Sequence, residues 1–200
     1  MKAVLAAVAA LAIGTPAAAS VIFSDDFNNA VYGGNVSPAG WTTTGGTVDA
    51  LGPAYYGSLC TSAGGSDEYC VDLDGSTGSA GLMLQGFILT GGVTYTASFD
   101  LAGDFRGGLN NVLVTFGTSS DLYSLAANDA FTTYSLMFTP TTTGAYSLSF
   151  QNNGGDNMGG LLDNVEIASA GVPEPATWAM MLLGFGGLGA VLRGRRTVLA

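Results

Sequence analysis

The 200-residue sequence has no histidine, two cysteines, and only five lysines and arginines against fifteen carboxylates. Without histidine no Ser-His-Asp or Cys-His nucleophile can be assembled, and with no lysine beyond Lys2 a Ser-Lys pair is excluded from the rest of the chain. Two cysteines and no imidazole exclude a structural zinc cluster. Scarce positive charge excludes nucleic acid as a partner, because such binding rests on neutralising phosphates. The glycine runs lack the following helix and lysine of a phosphate-cradling loop. Paired carboxylates can hydrolyse glycosides, but nothing in the spacing singles out two of them, so the chain is read as non-enzymatic.

What is present begins at the ends. Met1-Lys2 is followed by an apolar run from Ala3 to Ile13, then Gly14-Thr15-Pro16 and Ala17-Ala18-Ala19. A charged start, a short apolar stretch and a small-x-small exit make a secretory signal peptide over 1–19, cleaved by signal peptidase after Ala19. Eleven residues rise only about 16 Å as a helix, too little for a bilayer core of about 30 Å. At the other end Val172-Pro173-Glu174-Pro175 precedes Ala176-Thr177-Trp178-Ala179, an apolar stretch from Met180 to Leu192, and Arg193-Gly194-Arg195-Arg196. Prolines keep the approach extended, Trp178 suits a membrane interface, and the arginines favour the cytoplasmic side. These features predict a C-terminal transmembrane helix over about 177–192 with a basic end at 193–196.

This tail resembles the PEP-CTERM protein-sorting signal. The matching residues are Pro173, Glu174, Pro175, Trp178 and Ala179, then the glycine-rich apolar stretch, then Arg193, Arg195 and Arg196. The resemblance implies processing by an exosortase near the Pro-Glu-Pro and transient anchoring in the inner membrane. It further implies a Gram-negative host, with delivery to the cell envelope, outer surface or exopolysaccharide and biofilm matrix.

Between the ends, residues 20–171 form one ectodomain, and 172–200 the tail. Here Arg106 is the only basic residue against all the carboxylates except Glu174. Cys60 and Cys70, exported to an oxidising compartment, predict a disulfide. Short apolar or alternating runs predict strands over 21–27, 47–51, 69–73, 82–89, 94–101, 112–117, 132–139, 146–151 and 161–167. Gly91-Gly92, Asn110-Asn111, 141–144 and 152–157 read as turns. No stretch before the tail has a convincing helical period. Short strands at this spacing predict an all-β, two-sheet antiparallel β-sandwich, a jelly roll.

Several blocks resemble the jelly-roll ectodomains that precede this sorting signal, in the style of carbohydrate-binding modules. They run from Val71-Asp72-Leu73-Asp74-Gly75-Ser76 through 92–103 and 134–139 to Gly160-Leu161-Leu162-Asp163-Asn164-Val165-Glu166-Ile167. The resemblance implies a structural Ca²⁺ between the first and last strands, for which Asp25, Asp26 and Asp163 are the candidates. Asp72-x-Asp74-Gly75 is similar to the start of a calcium loop, but position 83 is Met where such a loop needs glutamate, so it reads as a strand entering a turn. Glycan binding needs aromatic faces beside polar groups. The candidates are Trp41, Tyr55 and Tyr56 near one loop, and Phe105 with Arg106 in another; core packing is the competing role for Trp41. The expected function is a non-catalytic, glycan-associated module in exopolysaccharide. The alternatives are a structural surface protein that binds no sugar and, more distantly, a glycoside hydrolase.

Overall fold

The structure, a computed structural model, describes residues 19–28, 31–171 and 175–196. The expected signal peptide falls almost wholly outside these residues, as do Pro173 and Glu174. Ser20–Ala170 is one compact unit, and the C-terminal helix belongs to another.

Among the described residues the first unit holds eleven strands and one short helix. In chain order they are β1 (Ser20–Asp25), β2 (Thr42–Thr44), β3 (Asp49–Leu51), α1 (Ser58–Ser62), β4 (Cys70–Asp72), β5 (Leu82–Leu89) and β6 (Tyr95–Ala102), then β7 (Leu109–Phe116), β8 (Ser119–Ala126), β9 (Thr132–Phe138), β10 (Gly144–Asn152) and β11 (Leu161–Ser169). They form two antiparallel sheets, β2-β5-β10-β7-β8 and β3-β4-β11-β6-β9. β11 is the pivot of the second. β6 lies along one edge, while the other is shared by β4 at Leu161–Leu162 and β1 from Val165 onward.

Strand alternation decides what fills the space between the sheets. Phe99, Phe116, Phe150, Met83, Leu101, Leu148, Leu162 and Ile167 are all buried there. Aromatic edges organise this core, with Phe99 and Phe150 at 5.2 Å and an interplanar angle of 81°. At about 1.5–3 kcal/mol for each fully buried large side chain, this layer is the main source of stability. Leu51, Cys70, Ala102 and Leu161 have the opposite alternation and face out of the second sheet. They are nevertheless buried, under α1 with Cys60, Ala63, Leu59 and Phe131. The Cys60–Cys70 disulfide ties that cap to β4.

One expected turn is corrected. Asn110-Asn111 is not a turn but part of β7: Asn110 points inward at 3 % exposure, its amide donating to Asp104 and accepting from Asn152. The reversal lies at Gly117, after which β8 pairs back from Ser119. Gly117 has φ 58°, and a Cβ there would overlap the Phe138 ring.

In the second unit, α2 (Pro175–Arg196) forms over 22 residues and is wider than the expected 177–192. Among the described residues, no helix is long and apolar enough to cross a membrane. The expected helical stretch 177–192 lies within α2.

Candidate functional site

The loops around β3 assemble on Asp49. β3 places this carboxylate on the outer face of its sheet, at 6 % exposure, and four donors converge on it. They are the Asn35 N–H at 2.6 Å, the Ser76 N–H at 2.9 Å, the Ser76 hydroxyl at 2.6 Å and the Tyr55 hydroxyl at 3.4 Å. One buried anion thus joins three segments distant in sequence, with charge-assisted bonds that are stronger than neutral ones. Tyr55 is held at its hydroxyl, which also lies 3.0 Å from Ser76 Oγ.

Tyr56 stands beside this anchor. Its backbone takes φ 51°, strained for a non-glycine residue, and its side chain is 66 % exposed. The Tyr55 and Tyr56 rings meet edge to face at 5.0 Å. Tyr32, at 36 % exposure, lies across Gly52, where a Cβ would fall 2.5 Å from its Cγ, and meets Tyr69 at 6.2 Å. The result is a tyrosine-lined surface with a fixed hydroxyl rim. Tyr32, Tyr69, Asp49 and Ser76 were not expected there. Tyr32 carried a usable signal, an aromatic next to Gly33-Gly34, but Asp49 joins the site only through tertiary contacts.

The other glycan candidates are corrected. Trp41 is a core residue at 6 % exposure, with Phe23, Phe27 and Phe150 within about 6 Å, and its indole N–H donates to Asp25 at 2.8 Å. It presents no face to a ligand. Phe105 packs half-buried against the cap under α1. Arg106 is not a free hydrogen-bonding fork. It pairs with Asp72, which is 1 % exposed, and donates to the Asn157 carbonyl at 3.0 Å. The pairing neutralises a carboxylate that burial pushes upward in pKa, against the pull of Arg106 and the Asp74 and Gly159 N–H groups.

Asp25, Asp26 and Asp163 do not assemble as the expected calcium set. β1 and β11 are neighbours, as that site required. Yet Asp25 turns toward Trp41 and the Phe27 N–H, accepting both at 2.8 Å. Asp26 accepts from the Asn28 N–H. Asp163, at 3 % exposure, accepts from the Asn164 N–H and has its pKa pushed up to about 7, first by burial, then by the charges of Asp67, Asp100 and Asp26. Among the described residues no group of three or more His, Cys, Asp or Glu side chains is placed to hold a metal. A depression of about 300 Å³ does lie here, lined by Ser24, Asp25, Asp26, Asn164, Val165 and Glu166.

Of the sorting residues, Pro175 opens α2 and Trp178, Ala179, Arg193, Arg195 and Arg196 lie along it; Ala179 and Arg193 are exposed.

Comparison with known proteins gives two results. No curated protein matches the sequence. The CBM22-1 xylan-binding domain of Paenibacillus barcinonensis Xyn10C superposes over 79 % of this chain and 99 % of its own, at a TM-score of 0.52 and 14 % identity. The CBM22-1–CBM22-2 tandem of the same enzyme superposes over 82 % of this chain and 48 % of its own, at a TM-score of 0.55 and 14 % identity. At that identity the likeness is one of fold: the Ser20–Ala170 unit is a two-sheet antiparallel sandwich resembling the jelly roll of those modules. Residues 171–196 match the model of the PEP-CTERM protein-sorting motif.

Proposed function

We propose that this chain is an exported glycan-binding protein. In this reading the sandwich grips a neutral polysaccharide on its tyrosine surface, and the tail routes it through an exosortase to the cell envelope or the surrounding exopolysaccharide matrix. The observation that carries the binding half is Tyr56: a large ring, two-thirds exposed, held by a strained backbone and braced by a neighbour whose hydroxyl is pinned. A pyranose offers C–H faces to stack on Tyr56 and Tyr32, and hydroxyls to meet Ser76 and the Tyr55 hydroxyl. Aromatic faces supply contact area at low entropy, and the polar rim sets orientation. Support for a neutral glycan, as against an anionic ligand, comes from Arg106 being the unit's only cation and already paired.

The delivery half rests on the motif match at 171–196. The signal peptide would be removed at Ala19, the sorting tail would hold the protein at the inner membrane, and cleavage near Pro173–Pro175 would free the module. Mass spectrometry of protein from native cells should find nothing beyond that point; a mature chain retaining Arg193 through Ala200 would refute the processing.

The binding test is affinity electrophoresis of Ser20–Ala170 through the host's exopolysaccharide and a panel of neutral polysaccharides. This unit holds all eleven strands, both cores and the disulfide, and so folds by itself. Retardation should fall at least about tenfold in Tyr56→Ala and less in Tyr32→Ala, with stability unchanged, as expected for one lost stacking contact of about 1.5 kcal/mol. No retardation by any polysaccharide would favour the structural surface protein, the reading to which the burial of Trp41 lends weight.

A further inference from the structure

The carboxylate least accounted for in the unit is Asp74. It follows β4 by two residues, in the turn that leads to β5, and has no exposed surface. Neither of its oxygens accepts a hydrogen bond. The other buried carboxylates differ. Asp49 has its four donors, and Asp104 accepts from the Arg106 and Gly107 N–H groups and the Asn110 amide. Asp72 accepts from Asp74 N–H, Gly159 N–H and Arg106, and Asp163 from Asn164 N–H.

Asn152, whose amide lies near Asp74, also has a bare buried oxygen. Asn152 is 4 % exposed; its amide nitrogen donates to Asn110, and its Oδ1 has no donor. The loop after β10 folds over both groups. The Gly155 N–H reaches the Gly78 carbonyl at 3.4 Å. Gly154, with φ 64°, faces Asp74, whose Oδ1 lies 3.5 Å from where a Cβ would be. A Cβ at Gly159 would come within 2.5 Å of Asp72 Oδ1, so the glycines let this loop close on the turn. The surroundings are anionic. Burial first, then Asp72 and Asp156, push the Asp74 carboxyl up to about 6, and the nearby Asn152 amide and Asp156 N–H offset this only in part, neither in hydrogen-bonding geometry.

A buried ion without donors is strongly unfavourable, and native proteins resolve it with a proton, water or a cation. A proton would serve one Asp74 oxygen and leave the other bare beside Asp156. A divalent cation would serve both, together with Asn152 Oδ1. We propose that residues 74–80 and 152–159 enclose a Ca²⁺ site in which Asp74 and Asn152 Oδ1 are inner ligands, completed by Asp156 and main-chain carbonyls. The donor set is then two carboxylates with amide and main-chain carbonyl oxygens, and no histidine or cysteine joins them among the described residues, which suits calcium rather than zinc. The site is distinct from the Asp25, Asp26 and Asp163 set and joins two loops at one end of the sandwich.

The test is calorimetric titration and thermal unfolding of Ser20–Ala170 with Ca²⁺ after exhaustive chelation, in wild type, Asp74→Asn and Asp163→Asn. One ion should bind wild type and raise Tm by about 5–10 °C at a hundredfold excess over Kd. Asp163→Asn should keep that response. Asp74→Asn should lose it while matching or exceeding the stability of chelated wild type, because a bare charge has gone. Should Asp74→Asn not fold, Asn152→Ala serves instead, with Ca²⁺ affinity expected to fall at least about tenfold. Millimolar Ca²⁺ without effect on wild type overturns the proposal. So does a response that survives Asp74→Asn, or one lost only in Asp163→Asn.

Discussion

Replacing Asp163 with asparagine probes how this acidic sandwich tolerates buried carboxylates. Asp163 is 3 % exposed, has one main-chain donor, and faces the charges of Asp67, Asp100 and Asp26. Its pKa rises from 3.8 to about 7. A raised acid pKa means that the folded state keeps a proton the unfolded chain has already released. That contribution is complete below the unfolded value and is lost as pH rises through the folded one. Each pKa unit corresponds to about 1.36 kcal/mol. Between about pH 5 and pH 8 the Asp163 proton accounts for roughly two units, or about 3 kcal/mol. Asp74, at about 6, adds roughly one more unit. Chelated wild type should therefore lose about 4 kcal/mol over that interval, an unfolding midpoint lower by roughly 8–16 °C. In Asp163→Asn only about 1.4 kcal/mol of the loss should remain. Urea unfolding across the pH range measures both slopes. Identical slopes for wild type and variant would refute the assignment, because general repulsion among surface carboxylates would then explain the whole effect.

Four further substitutions separate packing from function. Arg106→Gln should destabilise by about 3–5 kcal/mol in urea, leaving Asp72 buried without its partner, and adding Asp72→Asn should recover most of the loss. Replacing Cys60 and Cys70 together with serine should cost about 3 kcal/mol in the chain-entropy account and loosen α1 first, seen as faster hydrogen exchange over residues 58–69. Gly117→Ala should cost about 2–3 kcal/mol from its positive φ and the Phe138 overlap, while Thr118→Ala should be nearly neutral. Trp41→Phe should cost about 1–3 kcal/mol by leaving Asp25 without its indole donor, yet glycan retardation of the folded variant should match wild type.

Apolar alternation made most of the sandwich legible. Residues 82–89 were expected as a strand, and β5 occupies that range. β8 escaped notice because Ser119–Ala126 is an edge strand that buries only Leu125 fully, so its outward residues hide the two-residue period. β2, with three threonines, gave no apolar signal for a related reason. α1 is a single turn stabilised by the cap it closes, and a five-residue segment has no helical period to detect. Of the site, Tyr55 and Tyr56 were legible because glycine and proline flank them in a loop. Trp41 was singled out by its rarity, which says nothing about burial; core packing, the competing role, is the one it takes, with its ring turned inward toward Phe150. Arg106 misled, since its partner Asp72 lies 34 residues away and only the sheet brings them together.

The distribution of charge links the two proposals. With one cation available, the unit places Arg106 on Asp72 and serves Asp49 and Asp104 with loop amides and hydroxyls instead. Each such carboxylate fixes a turn. Asp49 positions the loop of Tyr55, and Asp104 closes the turn from β6 to β7. Buried acids therefore act here as organising centres for loops, and their value depends on every oxygen finding a partner. Asp74 breaks that pattern twice over, with both oxygens bare, in a turn whose neighbour Ser76 holds Asp49. A cation at Asp74 would make the rule general. It would also stiffen residues 74–80, and with them the Ser76 hydroxyl that pins Tyr55. Calcium should then tighten glycan binding in wild type and leave that of Asp74→Asn unchanged; equal affinities with and without calcium in wild type would separate the two sites.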